Sequence, residues 1–457
     1  MKTLLSVAFA FVGLTACASW TFDKTANTIT SDTGIVLNVN RNDGSIQSVK
    51  TLNGQTVLDL SDATNFPVTA VIFWNVKMLS NNALTGQSTL TEIKFPATLT
   101  SIGTESLKGC SGLTRLDFSK TALSTTGHSV FTGTRLEEVL LTDTMTKLDR
   151  DLFNGVSTLT NVEPRVFSKL STLGANIFKG TQVTGSLTLS CSGLTSIPDN
   201  AFNGTQFSEV DISQSGVRTI GSSAFASMPN LVAVKLPDSL KTSGSSSFAS
   251  GSLTTVEPFL PTNVSSIGGS AFGYSSVEGD LVFASKVVEF ATPQNAFRST
   301  KISSVDFFAT TNTIALPNYA FYECKNLRKV VFGRGKVTCS SQVFRNCPLE
   351  EIWFAGPPPT GLTYSGFHNG SWTALSAKIY VPKGNADWDA FLSTNTNVSV
   401  SWVTANLTAA EKASFVEKWP DEKVPSKKVC IKGGSPYYQY LCKWYPDGNP
   451  GLTIILR

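Results

Sequence analysis

The sequence predicts a repeat solenoid, an array of short rungs that together form one parallel β-sheet face. Large apolar residues, called anchors here, recur at intervals of 22–25 residues and define about 12 rungs. A rung this short with one strand cannot close its own core, so stacked neighbours have to bury a shared one. The anchors are Leu84, Leu107, Phe131, Phe153, Phe178, Phe202, Phe225, Phe248, Phe272, Phe297, Phe321, Phe344 and Phe367.

Each rung supplies one strand to the predicted sheet. A second apolar position follows each of the first twelve anchors by five or six residues, and most rungs then alternate apolar and polar residues, as in LTRLDF (113–118). We expect the anchors to point inward from the opposite side of the rung, on a short helical turn. The segments 183–189 and 277–283 carry an extra residue at a glycine, which predicts a β-bulge in each.

The first residues have the layout of an export signal. Lys2 precedes an apolar run from Leu4 to Ala16, which small residues follow. Two processing sites compete: cleavage by signal peptidase after residue 18, and a lipobox cleavage after residue 16 that makes Cys17 the acylated first residue. Both predict an exported chain, at the cell surface or outside the cell. A lipid on Cys17 is the one membrane link that we expect, because no other segment reaches 18 consecutive apolar residues.

The segments beside the repeats are predicted to cover the open ends of the array. Residues 19–66 contain strand-like IVLNVN and QTVLDL with turn signals between them, which predicts a β-rich N-terminal cap. The repeats then occupy residues 67–355. A run of three prolines ends their regular pattern, and residues 356–403 are predicted to form the last repeat and a C-terminal cap.

Residues 404–457 differ in composition from the repeats. A capping-box pattern from Thr408 to Glu411 predicts a short helix that stops at Pro420. Cys430 and Cys442 lie in a stretch rich in Gly and Pro without a core of its own, so a disulfide between them is expected. Two interpretations remain open: a disulfide-pinned module docked on the repeats, and a loosely held tail.

The repeat has a characteristic block, Ile-Gly-x-x-Ala-Phe-x-x-Cys, within segments such as TIGSSAFASMPNLVAVKLPDSL and NYAFYECKNLRKVVF. Over roughly residues 67 to 382 the chain resembles the BspA-type leucine-rich repeats of bacterial and protist surface proteins. The resemblance implies a right-handed, curved α/β horseshoe-like array, export, and adhesion or ligand recognition in place of catalysis. The asparagine ladder of typical leucine-rich repeats is absent.

The strand position between the last two apolar residues of each rung, called the column here, is the candidate binding surface. Spaced about 5 Å apart, these residues make a mildly acidic strip that ends in apolar Val331 and Trp353. One interpretation is a docking surface for a protein or glycan, with Trp353 as an aromatic anchor. The other is a solvated face, as in a structural spacer that binds nothing. The candidate residues are Lys94, Asp117, Glu163, Asp211, Lys235, Glu257, Asp306 and Trp353.

The sequence offers no catalytic residues, metal ligands or cofactor motif. Its two histidines, His128 and His368, lie about ten rungs apart, and none of the usual nucleophile, phosphate or metal motifs is present. A carbohydrate-active enzyme with paired carboxylates is a remote alternative. A net charge of only +4 argues against a nucleic-acid partner.

Three cysteines occupy one position of the repeat, three residues after the anchor. They are Cys110, Cys324 and Cys347, and other rungs have Thr134, Thr181 and Thr205 there. Cys324 and Cys347 lie one rung apart, so two interpretations compete. They form a disulfide, or they are free thiols that fill a small buried slot as the threonines do.

Overall fold

The structure is a computed structural model of the 457-residue chain. It describes residues 20–359 apart from 24, 41, 44, 62–65, 68–72, 284–288, 291–293, 311 and 355, and beyond these residues 378–380, 386–387, 429–432 and 440–443. The chain divides into two compact units, residues 1–145 and 146–457. Both are parallel-strand solenoids, about 12 turns in all, so the predicted fold class is confirmed.

Unit 1 begins with an antiparallel sheet. Its strands pair in chain order: β1 (Trp20–Asp23), β2 (Thr28–Ser31), β3 (Val36–Asn40) and β4 (Ser45–Thr51). The segment QTVLDL forms β5 (Val57–Asp59), and β6 (Phe66–Pro67) pairs antiparallel with β7 (Phe73–Trp74). The last strand of the antiparallel sheet, β4, pairs in parallel with β8 (Met78–Leu79), so the first sheet runs directly into the repeats.

The rungs of unit 1 carry two rows of short strands. The front row consists of β5, β9 (Glu92–Lys94), β11 (Arg115–Asp117) and β13 (Glu138–Leu140), with parallel pairs β5–β9 and β11–β13. Because β5 pairs with β9, rung strands begin inside the segment that the sequence assigns to the N-terminal cap. The side row consists of β8, β10 (Ser101–Ile102) and β12 (Thr125–Thr126).

Unit 2 also carries a front row and a side row of short strands. Its front row has two parallel sheets and one leading strand, β15 (Asn161–Glu163). The first sheet is β16 (Val166–Phe167), β18 (Thr184–Leu189), β20 (Gln206–Asp211), β22 (Ala233–Lys235) and β24 (Thr255–Glu257). The second is β26 (Glu278–Val282), β28 (Lys301–Phe307), β30 (Lys329–Phe332), β32 (Glu351–Phe354) and β33 (Lys378–Tyr380).

The side row of unit 2 has strands of two or three residues. They are β14 (Lys147–Leu148), β17 (Thr172–Leu173), β19 (Ser196–Ile197), β21 (Thr219–Ile220), β23 (Thr242–Ser243), β25 (Ser266–Ile267), β27 (Glu289–Phe290), β29 (Ile314–Leu316) and β31 (Val337–Cys339). The two bulges predicted in the front row are confirmed, because the register of β18 shifts after Gly185 and that of β26 shifts after Gly279.

Prolines mark both edges of the first front sheet of unit 2. Pro164 directly follows β15 and Pro258 directly follows β24, and a proline has no N–H to offer to a ladder. At the first of these edges Arg165 supplies side-chain donors: it donates to the Thr184 carbonyl (2.8 Å) and to Asn161 Oδ1 (2.8 Å). Side-chain hydrogen bonds from Arg165 therefore link β15 to β18.

The helical turn expected beside each anchor is not formed. Among the described residues helix is confined to 386–387, and the anchors lie in hydrogen-bonded turns. The residue two positions before each described anchor has a φ of 53–61°, the left-handed conformation that interrupts an α-helix. This conformation turns the backbone toward the next rung, where Phe202 N donates to Ala224 O (2.9 Å) and Phe225 N donates to Ser247 O (2.8 Å). The anchor side is a third hydrogen-bonded ladder.

The anchors form the core. In unit 2 nine phenylalanines, from Phe153 to Phe344, stack in sequence with ring centroids 4.8–5.9 Å apart and ring planes 3–15° from parallel. In unit 1 the anchors Leu84, Leu107 and Phe131 are fully buried. Each ring therefore covers its neighbours' faces, and no rung buries its anchor by itself.

The slot after the anchor holds free thiols. Cys110, Cys324 and Cys347 are buried and unbridged, which confirms the second interpretation. Each donates to the anchor carbonyl of the preceding rung, at 3.0, 3.1 and 2.9 Å in that order, whereas Thr134, Thr181 and Thr205 donate to the anchor carbonyl of their own rung at 2.7–2.9 Å. Burial raises the pKa of Cys110 to about 11, so this thiol stays protonated at neutral pH.

Several predicted features lie outside the described residues. They are the signal segment with Cys17, anchor Phe367, His368 and the helix predicted after Thr408. Cys430 and Cys442 lie on β34 (Val429–Lys432) and β35 (Tyr440–Lys443), and the antiparallel register places them directly opposite each other. Their disulfide remains a prediction.

The glycine of the Ile-Gly block explains how closely the rungs approach. Gly221 and Gly244 follow the side-row strands, and each donates its N–H to the preceding rung at 2.7 Å. A Cβ on Gly244 would lie 2.6 Å from the backbone nitrogen of Ser222, and one on Gly221 would lie 2.5 Å from that of Asp199. Any larger residue pushes the two backbones apart.

We therefore expect Gly244→Ala to destabilise unit 2 by about 1–3 kcal/mol, because the new methyl group has no room between two backbones. The matched control is Gly193→Ala, where the nearest atom to the new Cβ is 3.7 Å away. The control should stay within about 1 kcal/mol of the wild type. Urea unfolding followed by far-UV circular dichroism measures both, and equal midpoints would contradict this account of the glycine.

Candidate functional site: the front strand face

The front row presents the column as one line of partly exposed side chains within each sheet. In unit 1 Asp117 pairs with Leu140 in the parallel register. In unit 2 one line is Thr188, Asp211, Lys235 and Glu257, and a second is Val282, Asp306, Val331 and Trp353. The backbone thus brings three of the eight sequence-predicted candidates, Asp211, Lys235 and Glu257, next to one another, about 5 Å from rung to rung.

Glu163 takes a different place. Pro164 follows it, and the chain then forms a second short strand, β16, whose Val166 is the residue in register with Thr188. Val166 is 55% exposed, so an apolar side chain stands at the start of this line where the sequence predicts an acid. Glu163 instead forms an ion pair with Arg165, with 3.3 Å between Glu163 Oε1 and Arg165 Nε.

Many charged side chains of the strip are ion-paired, and the pairs contain more acids than cations. Lys94 pairs with Asp59 (3.0 Å), Arg115 pairs with Asp117 (3.4 Å) and Glu138 (2.6 Å), and Lys235 pairs with Glu209 (2.7 Å) and Asp211 (3.7 Å). Most of these pairs join neighbouring rungs. Exposed ion pairs of this kind contribute little stability each, about 0–1 kcal/mol. Because Arg115 and Lys235 each pair with two acids, the face keeps a net negative charge.

The charged residues that stand beside the column were missed by sequence reasoning. Arg115, Glu209 and Lys329 stand two residues before a column residue on the same strand, and so face the same side of the sheet. The strand period alone predicts that second exposed column. Which residues meet across rungs depends on register, which the sequence pattern defines less well.

Four acids at the front-row strand ends also shape turns. Asp59, Asp117, Asp211 and Asp306 each accept a hydrogen bond from the backbone N–H two residues later, at 2.7–3.0 Å. In the first three that residue is a serine, whose hydroxyl donates to the same carboxylate. This is an Asx turn, and the Asp-apolar-Ser pattern is its sequence signal. These carboxylates therefore have a structural use before any partner is considered.

Trp353 lies next to the C-terminal end of the second line, where Tyr380 of β33 is in register with it. Its indole N–H donates to Glu351 at 2.9 Å, and the Lys329 ammonium lies 5.3 Å from the ring centroid. Lys329 also pairs with Glu351 at 3.5 Å. Val331 is the register neighbour of Trp353. A partly exposed indole with its polar atom already satisfied leaves an apolar surface for a ligand.

The described residues contain no cluster of three or more His, Cys, Asp and Glu side chains arranged to hold a metal ion. His128 is half-buried, and its Nδ1 lies 3.3 Å from the Ser129 hydroxyl. No helix in the described part of the chain is long and apolar enough to cross a bilayer.

The rung geometry and the block of residues that creates it agree with one family. A sequence model of the BspA type Leucine rich repeat region matches residues 77–190, 171–292 and 291–371, with six copies. The chain belongs to the BspA-type leucine-rich repeat family. No curated protein matches the sequence.

Solved structures of bacterial leucine-rich repeat proteins are similar to this chain. A leucine-rich repeat protein from Bacteroides ovatus is 18% identical, with a TM-score of 0.43, over 82% of this chain and 85% of its own. A leucine rich cell surface protein from Faecalibacterium prausnitzii is 14% identical, with a TM-score of 0.32, over 86% and 100% of the two chains. The pneumococcal vaccine antigen PcpA is 13% identical, with a TM-score of 0.30, over 84% and 98%.

The Asx turns predict a pH-dependent contribution to stability. Burial opposes ionisation of Asp117, but hydrogen bonds from Ser119 and the nearby Arg115 outweigh it and lower the pKa of this carboxyl below its ordinary 3.8. A carboxyl whose pKa is lower in the folded state stabilises the fold above its unfolded pKa. That stability is lost as the pH falls through the folded value.

Asp117→Ala should therefore cost about 1 kcal/mol at pH 7, and this cost should shrink below about pH 4. The control is Asp143→Ala, an exposed acid of unit 1. Urea unfolding at pH 7, 5 and 3 measures the difference from wild type. A loss that is the same at pH 7 and pH 3 would show that the carboxylate charge has no part in the turn.

Proposed function

We propose that the chain is an exported, surface-exposed recognition protein without enzymatic activity, which binds a macromolecular partner through its front strand face. Membership of the BspA-type family and the N-terminal export pattern support this proposal. The partner is a protein or a glycan. No cofactor is needed for binding of this kind, because shape, apolar contact and hydrogen bonds supply the affinity.

One observation carries the proposal: the pairing of Val331 and Trp353 at the end of the front face. Several acids along the rest of the face are ion-paired within it, so less of their charge is available to a partner. When a partner removes an aromatic ring and a neighbouring aliphatic side chain from water, the free energy of the complex falls. Such sites dominate binding energies. We therefore place the energetic centre of binding at Trp353 and assign the charged rungs to orientation.

The ion pairing within the front face favours a second candidate function, a structural spacer of the cell envelope. Ion pairs between neighbouring rungs and acids used in Asx turns are what a face needs to stay solvated and regular without a partner. The two functions differ in a single measurable property, which is whether the front face binds anything.

Export predicts that intact cells of the source organism expose the protein or release it. Added protease should degrade it on intact cells, or it should appear in the culture medium. Radiolabelled fatty acid should be incorporated into the wild type and not into Cys17→Ser if the lipobox is used. Protection from protease together with recovery in the cytosol would contradict export.

Binding at Trp353 predicts a specific loss in a screen of purified extracellular-matrix proteins and glycans. Trp353→Ala should weaken the strongest interaction at least tenfold, because a buried aromatic contact is worth about 2 kcal/mol or more. Val232→Ser, which alters a valine that is 49% exposed outside the column, is the control. If no molecule binds the wild type, or if Trp353→Ala binds as the wild type does, the spacer function stands instead.

A further inference from the structure

A second surface of unit 2 lies on the anchor side and is separate from the front face. Four consecutive rungs place alternating tyrosine and arginine side chains just after the anchor, a set called the Tyr–Arg stack here: Tyr274, Arg298, Tyr322 and Arg345. The Arg298 guanidinium lies 5.2 Å from the ring centroid of Tyr274 and 4.7 Å from that of Tyr322, and the Arg345 guanidinium lies 5.9 Å from that of Tyr322.

The backbone holds the stack rigidly. Tyr274 N donates to Arg298 O (2.7 Å), Ser299 N donates to Tyr322 O (2.8 Å) and Glu323 N donates to Arg345 O (2.9 Å). A third tyrosine, Tyr319, packs edge-on against Tyr322 with ring centroids 5.5 Å apart. The four side chains are therefore ordered before any ligand arrives, which lowers the entropy cost of binding.

The two arginines differ from the ion-paired cations of the front face. Among the residues that the structure describes, no carboxylate lies within 4.0 Å of the charged nitrogens of Arg298 or Arg345. Their Nε atoms are buried without a hydrogen-bond partner. The Nη groups are then the donors within reach of a ligand, and stacking on tyrosine rings keeps their planes fixed. Arg345 Nη1 donates one hydrogen bond to Gln342 Oε1, at 2.6 Å.

Fixed guanidinium groups without counter-ions select anions, since their planar donors match a carboxylate in a two-point contact. Here they recur on every second rung, about 10 Å apart, with a tyrosine between them. Tyr274, which is 55% exposed, begins the series. A linear ligand that carries a negative charge on every second unit fits this alternation.

We propose that the Tyr–Arg stack binds an acidic polysaccharide with carboxylates on alternate sugars. The carboxylates meet Arg298 and Arg345, and the sugar hydroxyls between them meet the tyrosines. Glu323, which already accepts a bond from the Ser299 hydroxyl at 3.3 Å, is an acceptor for hydroxyl donors of the ligand. This proposal is independent of the front face, and it adds a ligand class and a surface to the proposed function.

Two other polyanions fit less well. A nucleic acid carries one charge per nucleotide, and the carboxylate of Glu323 beside the two arginines would repel a chain so densely charged. An extended acidic peptide usually gains affinity by adding a strand to open backbone groups. The N–H groups of Tyr274, Ser299 and Glu323 are already used between rungs, so that mode is closed on this surface.

The test measures binding of the full chain to hyaluronan oligosaccharides, which carry a carboxylate on alternate sugars, by calorimetry at low salt. Neutral dextran, polyglutamate and single-stranded DNA are the comparison ligands. Wild type should bind hyaluronan more tightly than each of these, and added salt should weaken the interaction. Absence of hyaluronan binding, or equal binding of polyglutamate or DNA, would overturn the proposal.

Matched variants locate the site. Arg298→Gln and Arg345→Gln should each reduce hyaluronan affinity about tenfold, because each removes a charge-assisted contact. Arg328→Gln is the control, since this arginine pairs with Glu350 at 3.2 Å and lies outside the stack. Trp353→Ala should leave hyaluronan binding intact, which separates this proposal from the front face. An equal loss in the control variant would overturn the assignment.

Tyr274→Ala provides an independent check, because the side chain is largely exposed and its removal leaves the core untouched. It should weaken hyaluronan binding several-fold while the thermal midpoint stays unchanged. Unaltered affinity in a folded Tyr274→Ala protein, together with unaltered affinity in Arg298→Lys, which keeps the charge but loses the planar fork, would exclude recognition by the stack.

Discussion

Everything in this fold depends on one constraint: a rung of about two dozen residues cannot bury its own phenylalanine. The neighbours of Phe225 in the core are Phe202 and Phe248, with ring centroids 5.4 and 5.5 Å away. Rings stack at this distance only if the backbones also approach to hydrogen-bonding distance. The anchor ladder, the left-handed residue before each anchor and the glycine that follows six of the side-row strands all serve that approach.

The anchors and front strands follow from the sequence because their signals are local and repeated. A period near 24 places Phe202 and Phe225, alternation places Val210 between Glu209 and Asp211, and a surplus glycine marks the bulge at Gly185. The turn beside the anchor is different. Asn200 and Ser223 tolerate a left-handed conformation, but Glu105 and Gln342 adopt it too, so composition alone does not identify this turn. Contact with the next rung imposes the conformation, and the sequence of a single rung does not reveal that contact.

The strand column shows the same division between local and cross-rung information. The period of two identifies Asp117 and Asp211 as outward-facing, and the Asp-apolar-Ser pattern identifies their turns. The ion pair between Arg115 and Glu138, by contrast, joins residues 23 positions apart in the chain. It exists because parallel register brings those strands side by side. A reading of the column alone therefore misses partners such as Arg115 and Glu209, which stand two residues away on the same face.

Two faces of unit 2 consequently use charge in opposite ways. On the front face, Lys235 forms ion pairs with both Glu209 and Asp211, so its positive charge already interacts with carboxylates of the protein. On the anchor side, Arg298 lies between two tyrosine rings, which attract a cation without neutralising it. A cation held by rings keeps its full charge for an incoming anion, whereas one held by a carboxylate must first give up its partner. In the two proposals, specificity for a charged ligand is therefore assigned to the Tyr–Arg stack, and apolar recognition is assigned to Trp353 on the front face.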